Sequence, residues 1–269
     1  MTVGQYLAQS IDVLSDAGVD TARLDCLILL EDVLHANRAN IIAHPEQPLS
    51  SDQQILLNTY IAQRKQHIPL AYIRGKAAFF GRIFEVDTHV LVPRPESESL
   101  ITLLLDIIFS VPPRILDIGT GSGCLGITAG LELPGSTIYV CDIDQHALAV
   151  ALHNAQSYKI SLRTIRSDLL ESCTEYVDVM IANLPYVPDD YEVNTAATFE
   201  PRIALFSGED GLEHYRRLWQ QVADLRNKPT HIITEAFPEQ HEALRQLAQQ
   251  PGYTQNKSEG FAQHFTLIA

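Results

Sequence analysis

Cysteine is scarce and scattered. Its four occurrences, Cys26, Cys124, Cys141 and Cys173, form no CxxC pair, which excludes a disulfide framework or zinc knuckle and fits buried, reduced thiols. The ten histidines contain no HxxxH pair, so no metal site is expected. Basic residues are also few: 19 stand against 33 acidic ones, a net charge of −14. Nucleic-acid binders usually carry a basic stripe, so direct nucleic-acid binding is not expected. No long hydrophobic run is present. The longest, LITLLLDIIFSV from Leu100 to Val111, carries Asp106 and falls well short of the ~20 residues that span a bilayer. The N-terminus has no basic stretch and places Gln5, Gln9 and Asp12 where a signal peptide would be apolar. These absences point to a cytoplasmic protein with no membrane association. Its 269 residues suffice for one large or two modest domains at roughly 100 to 200 residues each.

Apolar residues recur at helical spacing up to about Leu70. Val3, Leu7, Ile11 and Leu14 make one helix, ending near Gly18. Leu24, Leu27, Leu30 and Leu34 make a second after Asp20 and Thr21, and Ile55, Leu56 and Ile61 a third after Ser50 and Ser51. Residues 1–75 therefore read as a helical bundle domain. From Ala71 to Pro95 the period changes, and FFGRIFEV and THVLVPRP flank Asp87 and Thr88 in the pattern of a hairpin, so residues 76–95 read as a linker. Pro95 and Glu96 open a helix through Ile108. Beyond it, strands alternate with helices: RILDIG, STIYVCDID, LRTIRSD, VDVMIAN, THIITEAF and a final QHFTLIA. That grammar predicts an α/β fold over 96–269, a mostly parallel sheet covered on both faces, with ligands bound outside the carboxyl ends of the strands.

The motifs sit at those ends. ILDIGTGSGCLGI runs from a strand through Gly119, Gly121 and Gly123 into a helix, and such glycines let the backbone approach a ligand. The alternative is a tight turn with no ligand. The spacing is DxGxGxG and not the dinucleotide GxGxxG; Asp117 inside the strand points to a ligand with a positive group. Asp142 ends the next strand, where a carboxylate can accept both hydroxyl protons of a ribose. Asp168 could accept from an adenine amino group while Leu169 covers the ring. Asn183, Leu184, Pro185 and Tyr186 follow VDVMIA directly. A side-chain amide oxygen and a main-chain carbonyl there converge as two acceptors for a planar NH2 group, beside an aromatic face. Orienting such a weak nucleophile needs no titrating base. An ordinary Asn-Pro turn is the plainer reading.

With these residues in view, the chain resembles the peptide chain release factor glutamine methyltransferases of the HemK or PrmC type. AGVDTARLDCLILLEDVL and PLAYIRGKAAFFGRIFEVDTHVLVPRPESE resemble that family's N-terminal bundle and linker, and LDIGTGSGCLGI, NLPY and EPRIALFSGEDGLEHYRR its catalytic domain. The resemblance implies a Rossmann-like class I fold and S-adenosylmethionine as methyl donor, with S-adenosylhomocysteine as product. Methyl transfer to the side-chain nitrogen (N5) of the glutamine in the GGQ motif of class I release factors is implied, modulating translation termination. It further implies that Gly119, Thr120, Gly121, Ser122 and Gly123 bracket the cofactor, Asp142 holds its ribose, and Asp168 and Leu169 flank its adenine. Asn183, Leu184, Pro185 and Tyr186 would hold the glutamine, with Asn183 and Tyr186 catalytic and Asn183 also near the cofactor. Residues 1–75 would dock the release factor, and a monomer is expected. Two departures stand out: Leu184 replaces the family's usual proline, and Phe206 a residue more often acidic. NLPY also occurs in rRNA adenine dimethyltransferases, so adenine-N6 methylation of rRNA or DNA is the alternative. A nicotinamide-dependent oxidoreductase is disfavoured by the glycine spacing. A non-catalytic adaptor is separable by whether S-adenosylhomocysteine stabilises the protein.

Overall fold

The computed structural model describes residues 1–268. The chain forms two compact units, one of Met1–Gly75 with Asn194–Phe199 and one of Lys76–Val193 with the residues from Glu200 onward.

The first unit is helical: α1 (Val3–Asp16), α2 (Ala22–Leu34), α3 (Arg38–Ala43), α4 (Ser51–Lys65) and α5 (Leu70–Arg74). Capping boxes start α1 and α4. In each, Thr2 or Ser50 accepts the amide of the glutamine three residues on, and that glutamine's side chain accepts in return. Val3, Leu14, Leu29, Leu30 and Leu57 share the core. The inward face of α4 is Leu57 and Ile61, while Ile55 and Leu56, expected inside, are exposed. Ile55 and Ile61 are six residues apart, and at about 3.6 residues per turn they cannot share a face. Leu24 is likewise exposed, and α2 buries Ala22, Cys26, Leu29 and Leu30 instead. Within this apolar packing lies one ion pair, Arg64 Nε to Asp25 at 2.6 Å, with side chains 11% and 5% exposed. Asp25 also accepts from the Thr21 hydroxyl, and Arg64 donates to the Ile68 carbonyl.

The second unit begins with a hairpin, β1 (Lys76–Phe79) and β2 (Arg82–Glu85). Its turn lies at Phe80 and Gly81, both at positive φ (50° and 71°), not at Asp87 and Thr88 as the sequence pattern suggested. Two consecutive positive φ values make the tight turn that matches strand twist, and 86–94 form no strand. Nor is the hairpin a free linker. Asn154 and Tyr158, on the helix Gln145–Tyr158 of this unit, each hydrogen-bond both the amide and the carbonyl of a β2 residue, Glu85 and Ile83 respectively. The helix expected from Pro95 to Ile108 is a 3-10 turn followed by α6 (Glu98–Leu105), and Ile108 is exposed.

Then follow β3 (Arg114–Ile118), α7 (Cys124–Glu132), β4 (Thr137–Asp142), α8 (Gln145–Tyr158), β5 (Leu162–Arg166), β6 (Val179–Ala182), α9 (Glu213–Asp224), β7 (His231–Glu235), α10 (His241–Gln249), β8 (Tyr253–Glu259) and β9 (Ala262–Leu267). The sheet order is β5-β4-β3-β6-β7-β9-β8, parallel except for β9 and β8. Successive strand residues face opposite layers: Leu116, Ile118, Met180 and Ile232 pack with Tyr215, Trp219 and Leu244, whereas Ile115, Val179, Ile181 and Ile233 pack with Leu100, Leu104 and Ile127. Strand β8 carries no apolar alternation that could announce it. Of TQNKSE none is buried, only Tyr253 is, and it forms a bulged outer strand with Lys257 on its edge. The order reverses between β3 and β6, which opens a crevice at the carboxyl ends of those two strands. No helix among the described residues is long and apolar enough to cross a membrane.

Replacing Asp25 by Ala leaves the Arg64 guanidinium buried without its counter-charge. The expected cost is about 3 kcal/mol, read as a lower urea midpoint followed by far-UV circular dichroism. An unchanged midpoint contradicts this account of the helical unit.

Candidate active site

A cavity of about 240 Å³ lies wholly in the second unit, at the carboxyl ends of β3, β4, β5 and β6. Its wall includes Gly119, Thr120, Gly121, Ser122, Asp142, Asp168, Leu169, Asn183, Leu184 and Pro185, so ten residues singled out from sequence meet around one space. Gly123 and Tyr186 do not line it. Gly123 caps α7 at φ 80°, where a Cβ would stand 3.0 Å from that of Ala151. The Tyr186 ring packs edge-on against Phe237, and its hydroxyl donates to Glu235 Oε1 at 3.0 Å.

The glycine loop is held from behind. Gly119 and Gly121 take φ of 68° and 53°, a region costly to residues with a Cβ. A Cβ on Gly121 would meet only Val90, at 4.0 Å, so at this position the loop presents bare backbone to the cavity. Asp117 was read as facing a positively charged ligand, but its carboxyl is wholly buried and turned into the loop. Oδ2 accepts the Thr120 hydroxyl at 2.6 Å and the Gly126 amide at 3.0 Å, and Oδ1 has no partner. Burial pushes its pKa up to about 6, against these hydrogen bonds. Asp142 accepts from the Gly121 amide (3.0 Å) and the Asp144 amide (2.9 Å). This fixes a carboxylate at the cavity wall, with burial raising its pKa. Asp168 is engaged by Arg217 at 2.6 Å. Leu169 stands at φ 51°, a sparsely populated conformation for a leucine that aims its side chain by local strain.

At the end of β6, Asn183 Nδ2 donates to the Ser97 hydroxyl at 2.9 Å. Neither Asn183 Oδ1 nor the Leu184 carbonyl accepts a hydrogen bond from any described residue. Two acceptors therefore stand free beside the glycine loop. Leu184, where a proline was anticipated, donates its amide to the Tyr215 hydroxyl at 3.4 Å, a weak bond that a proline could not form. Phe206 lies under the Arg202 guanidinium, 4.3 Å from the ring centroid.

Sequence reading missed three features. Arg94 of VPRPE pairs with Glu200 of EPRIAL, and Glu200 also accepts the Val92 amide at 3.0 Å, so two distant motifs form one wall. Ser97 orients Asn183, although nothing in the sequence joins positions 86 residues apart. Glu235, 1% exposed, lies under the NLPY segment. Burial pushes it up to about 7, while Ser97, Tyr186 and Asn183 lower it. A carboxylate ending a buried strand was the available signal. No group of three or more His, Cys, Asp or Glu among the described residues could hold a metal ion.

Residues 5–75 match the PrmC N-terminal domain, and residues 97–203 the methyltransferase small domain. A release factor glutamine methyltransferase of Koribacter versatilis is 35% identical over 228 residues, 82% of this chain and 81% of that protein. One of Bacillus anthracis is 33% identical over 233 residues, 83% and 82% of the two chains. Among solved structures, the hMettl16 catalytic domain in complex with the MAT2A 3'UTR hairpin 6 matches 82% of this chain and 83% of that chain, at a TM-score of 0.57 and 15% identity, a likeness of fold.

Gly211, at φ 77°, packs against this segment so tightly that a Cβ would lie 2.1 Å from the Tyr186 carbonyl oxygen and 2.6 Å from Gln240 Nε2. Gln240 bridges the Tyr186 and Asp210 carbonyls at 2.9 Å each. Gly211→Ala is expected to cost at least about 2 kcal/mol and to lower the melting temperature by roughly 4 to 8 °C. Fluorescence of the single tryptophan, Trp219, reports it, and an unchanged melt contradicts the packing described.

Proposed function

The chain belongs to the release factor glutamine methyltransferases, and from that premise we propose how its own residues perform the reaction. It is an S-adenosylmethionine-dependent enzyme that methylates a release-factor glutamine; adenine methylation is not favoured. The residues around the cavity suit the methyl donor. The loop backbone, bare of Cβ at Gly119 and Gly121, can meet its amino-acid portion, the Asp142 carboxylate its ribose hydroxyls, and Leu169 with Asp168 its adenine. Bound there, S-adenosylmethionine supplies an electrophilic methyl group and leaves as S-adenosylhomocysteine.

The observation that carries the mechanism is the orientation of Asn183. With Nδ2 committed to Ser97, Oδ1 is left for the substrate, next to the Leu184 carbonyl. These two oxygens accept the two N–H bonds of the glutamine amide and hold its nitrogen in line with the methyl group. Amide resonance makes that nitrogen a poor nucleophile. Fixed acceptors favour the geometry in which its lone pair points at the methyl carbon, and they stabilise the positive charge that develops on nitrogen during transfer; once the N–CH3 bond has formed and the S–CH3 bond has broken, the nitrogen becomes neutral by releasing one of its two protons to solvent. Tyr186 supports this arrangement from behind, through its hydroxyl on Glu235 and its carbonyl on Gln240.

The glutamine is that of the GGQ motif of class I release factors, the residues 1–75 dock that protein, and the enzyme acts as a monomer in the cytoplasm without binding nucleic acid. The charge of −14 suits a basic partner surface.

Asn183→Ala removes one of the two acceptors and is expected to lower kcat on the order of 10²-fold or more. The fold and the affinity for S-adenosylhomocysteine should be retained by comparison. Transfer at the wild-type rate by the folded variant would contradict this mechanism.

A further inference from the structure

We infer that Glu235, at the end of β7, is a positioning residue whose carboxylate, together with the Ser97 hydroxyl, holds the Asn183 carboxamide with its NH2 group inward and its oxygen toward the cavity. The inference rests on the reading of Asn183 as the acceptor for the substrate amide.

A carboxamide has one donating end and one accepting end, and its surroundings choose which faces out. Behind Asn183 stand the Ser97 hydroxyl, which can accept or donate, and the Glu235 carboxylate, which can only accept. Its Nδ2 donates to Ser97 Oγ at 2.9 Å, and both the amide and the Ser97 hydroxyl face the Glu235 carboxyl group. Turning the carboxamide over would set Oδ1 against a buried carboxylate and leave the NH2 group in the cavity, where it would repel the N–H bonds of a substrate amide. Ser97, having accepted from Asn183, still has its own proton to give toward Glu235. Of the two carboxylate oxygens, Oε1 takes the Tyr186 hydroxyl at 3.0 Å, while on Oε2 no donor reaches hydrogen-bonding geometry. An unpartnered oxygen on a group 1% exposed is costly, and its place beside Asn183 and Ser97 gives that cost a use.

Other ionisable groups face this carboxyl: Glu96, Tyr186, Tyr215 and Cys124. The two tyrosines and the thiol are pushed upward by burial and are neutral near pH 7. Glu96 and burial raise Glu235, and Ser97, Tyr186 and Asn183 lower it, to about 7. Above that pH both carboxylate oxygens are acceptors. Below it, one carries a proton that competes with the Asn183 NH2 group for the same space. The rate at saturating substrates should therefore fall as pH drops through about 7.

Glu235→Gln tests this in the full-length enzyme, with release factor and S-adenosylmethionine both saturating. The substituted amide offers an NH2 group where a second acceptor stood. A fall in kcat of about tenfold or more is expected, with loss of the acid limb of the kcat profile. Affinity for S-adenosylhomocysteine and the melting temperature should stay close to wild type. Ser97→Ala, which removes the other acceptor, should lower kcat and keep the acid limb. Wild-type kcat and pH profile in Glu235→Gln, beside an inactive Asn183→Ala, overturn the positioning role and leave the reading of Asn183 intact. Parallel loss of kcat, ligand affinity and melting temperature makes Glu235 merely structural and also overturns it. Full activity of Asn183→Ala removes the reading on which the inference stands.

Discussion

One buried hydroxyl ties together the two strand ends on which the site depends. Tyr215, fully buried on α9, places its oxygen 3.0 Å from the Ala182 carbonyl and 2.5 Å from the Glu235 carbonyl, and it receives the amides of Leu184 (3.4 Å) and Glu235 (3.3 Å). Four main-chain groups that leave the sheet ladder at the ends of β6 and β7 thus converge on one atom in a dry interior, where unmade hydrogen bonds are expensive. The NLPY segment can depart from regular structure because its first turn is held there. Glu235 is delivered to Tyr186 and Asn183 by the same knot.

Around it, the chemistry is built from fixed dipoles and few charges. Asp142 and Asp168 have their partners in backbone amides and in Arg217, and Asp117 spends its hydrogen bonds on the Thr120 hydroxyl of the glycine loop and the Gly126 amide of α7. None of these groups has to give or take a proton for a methyl group to move. Asp117 and Glu235 are the two whose ionisation burial opposes most directly, at about 6 and about 7. Each raised acid is at its most stabilising when protonated, and that contribution is lost as pH rises through its folded-state value. At Glu235 that loss accompanies the ionised form, which sets the direction of a neighbouring amide.

Much of this was legible in the sequence because it is local. Glycine spacing, a carboxylate closing each of two strands and the Asn183–Tyr186 segment after a third all express backbone needs within a few residues. The parallel topology then gathers them at one crevice. The hairpin turn was misplaced because Phe80, a residue that seldom takes positive φ, occupies the turn with Gly81. Strand β8 was invisible because its partner β9 supplies nearly all the apolar surface. Ile55 and Leu56 look like core residues by composition and are placed outside by helical geometry. The partnerships of Asn183 with Ser97, Arg94 with Glu200 and Tyr186 with Glu235 join residues 86, 106 and 49 positions apart. Only the folded chain specifies them.

The central claim is that two outward-facing oxygens at Asn183 and Leu184 select a carboxamide nitrogen. Its most direct test is fragment mass spectrometry of a GGQ-bearing release factor incubated with the enzyme and S-adenosylmethionine, with ribosomal RNA present in the same reaction. A single added methyl group is expected, on the side-chain nitrogen of the GGQ glutamine, and none on the RNA. A methyl group on another residue of the release factor, or on an adenine amino group of the RNA, would contradict that claim.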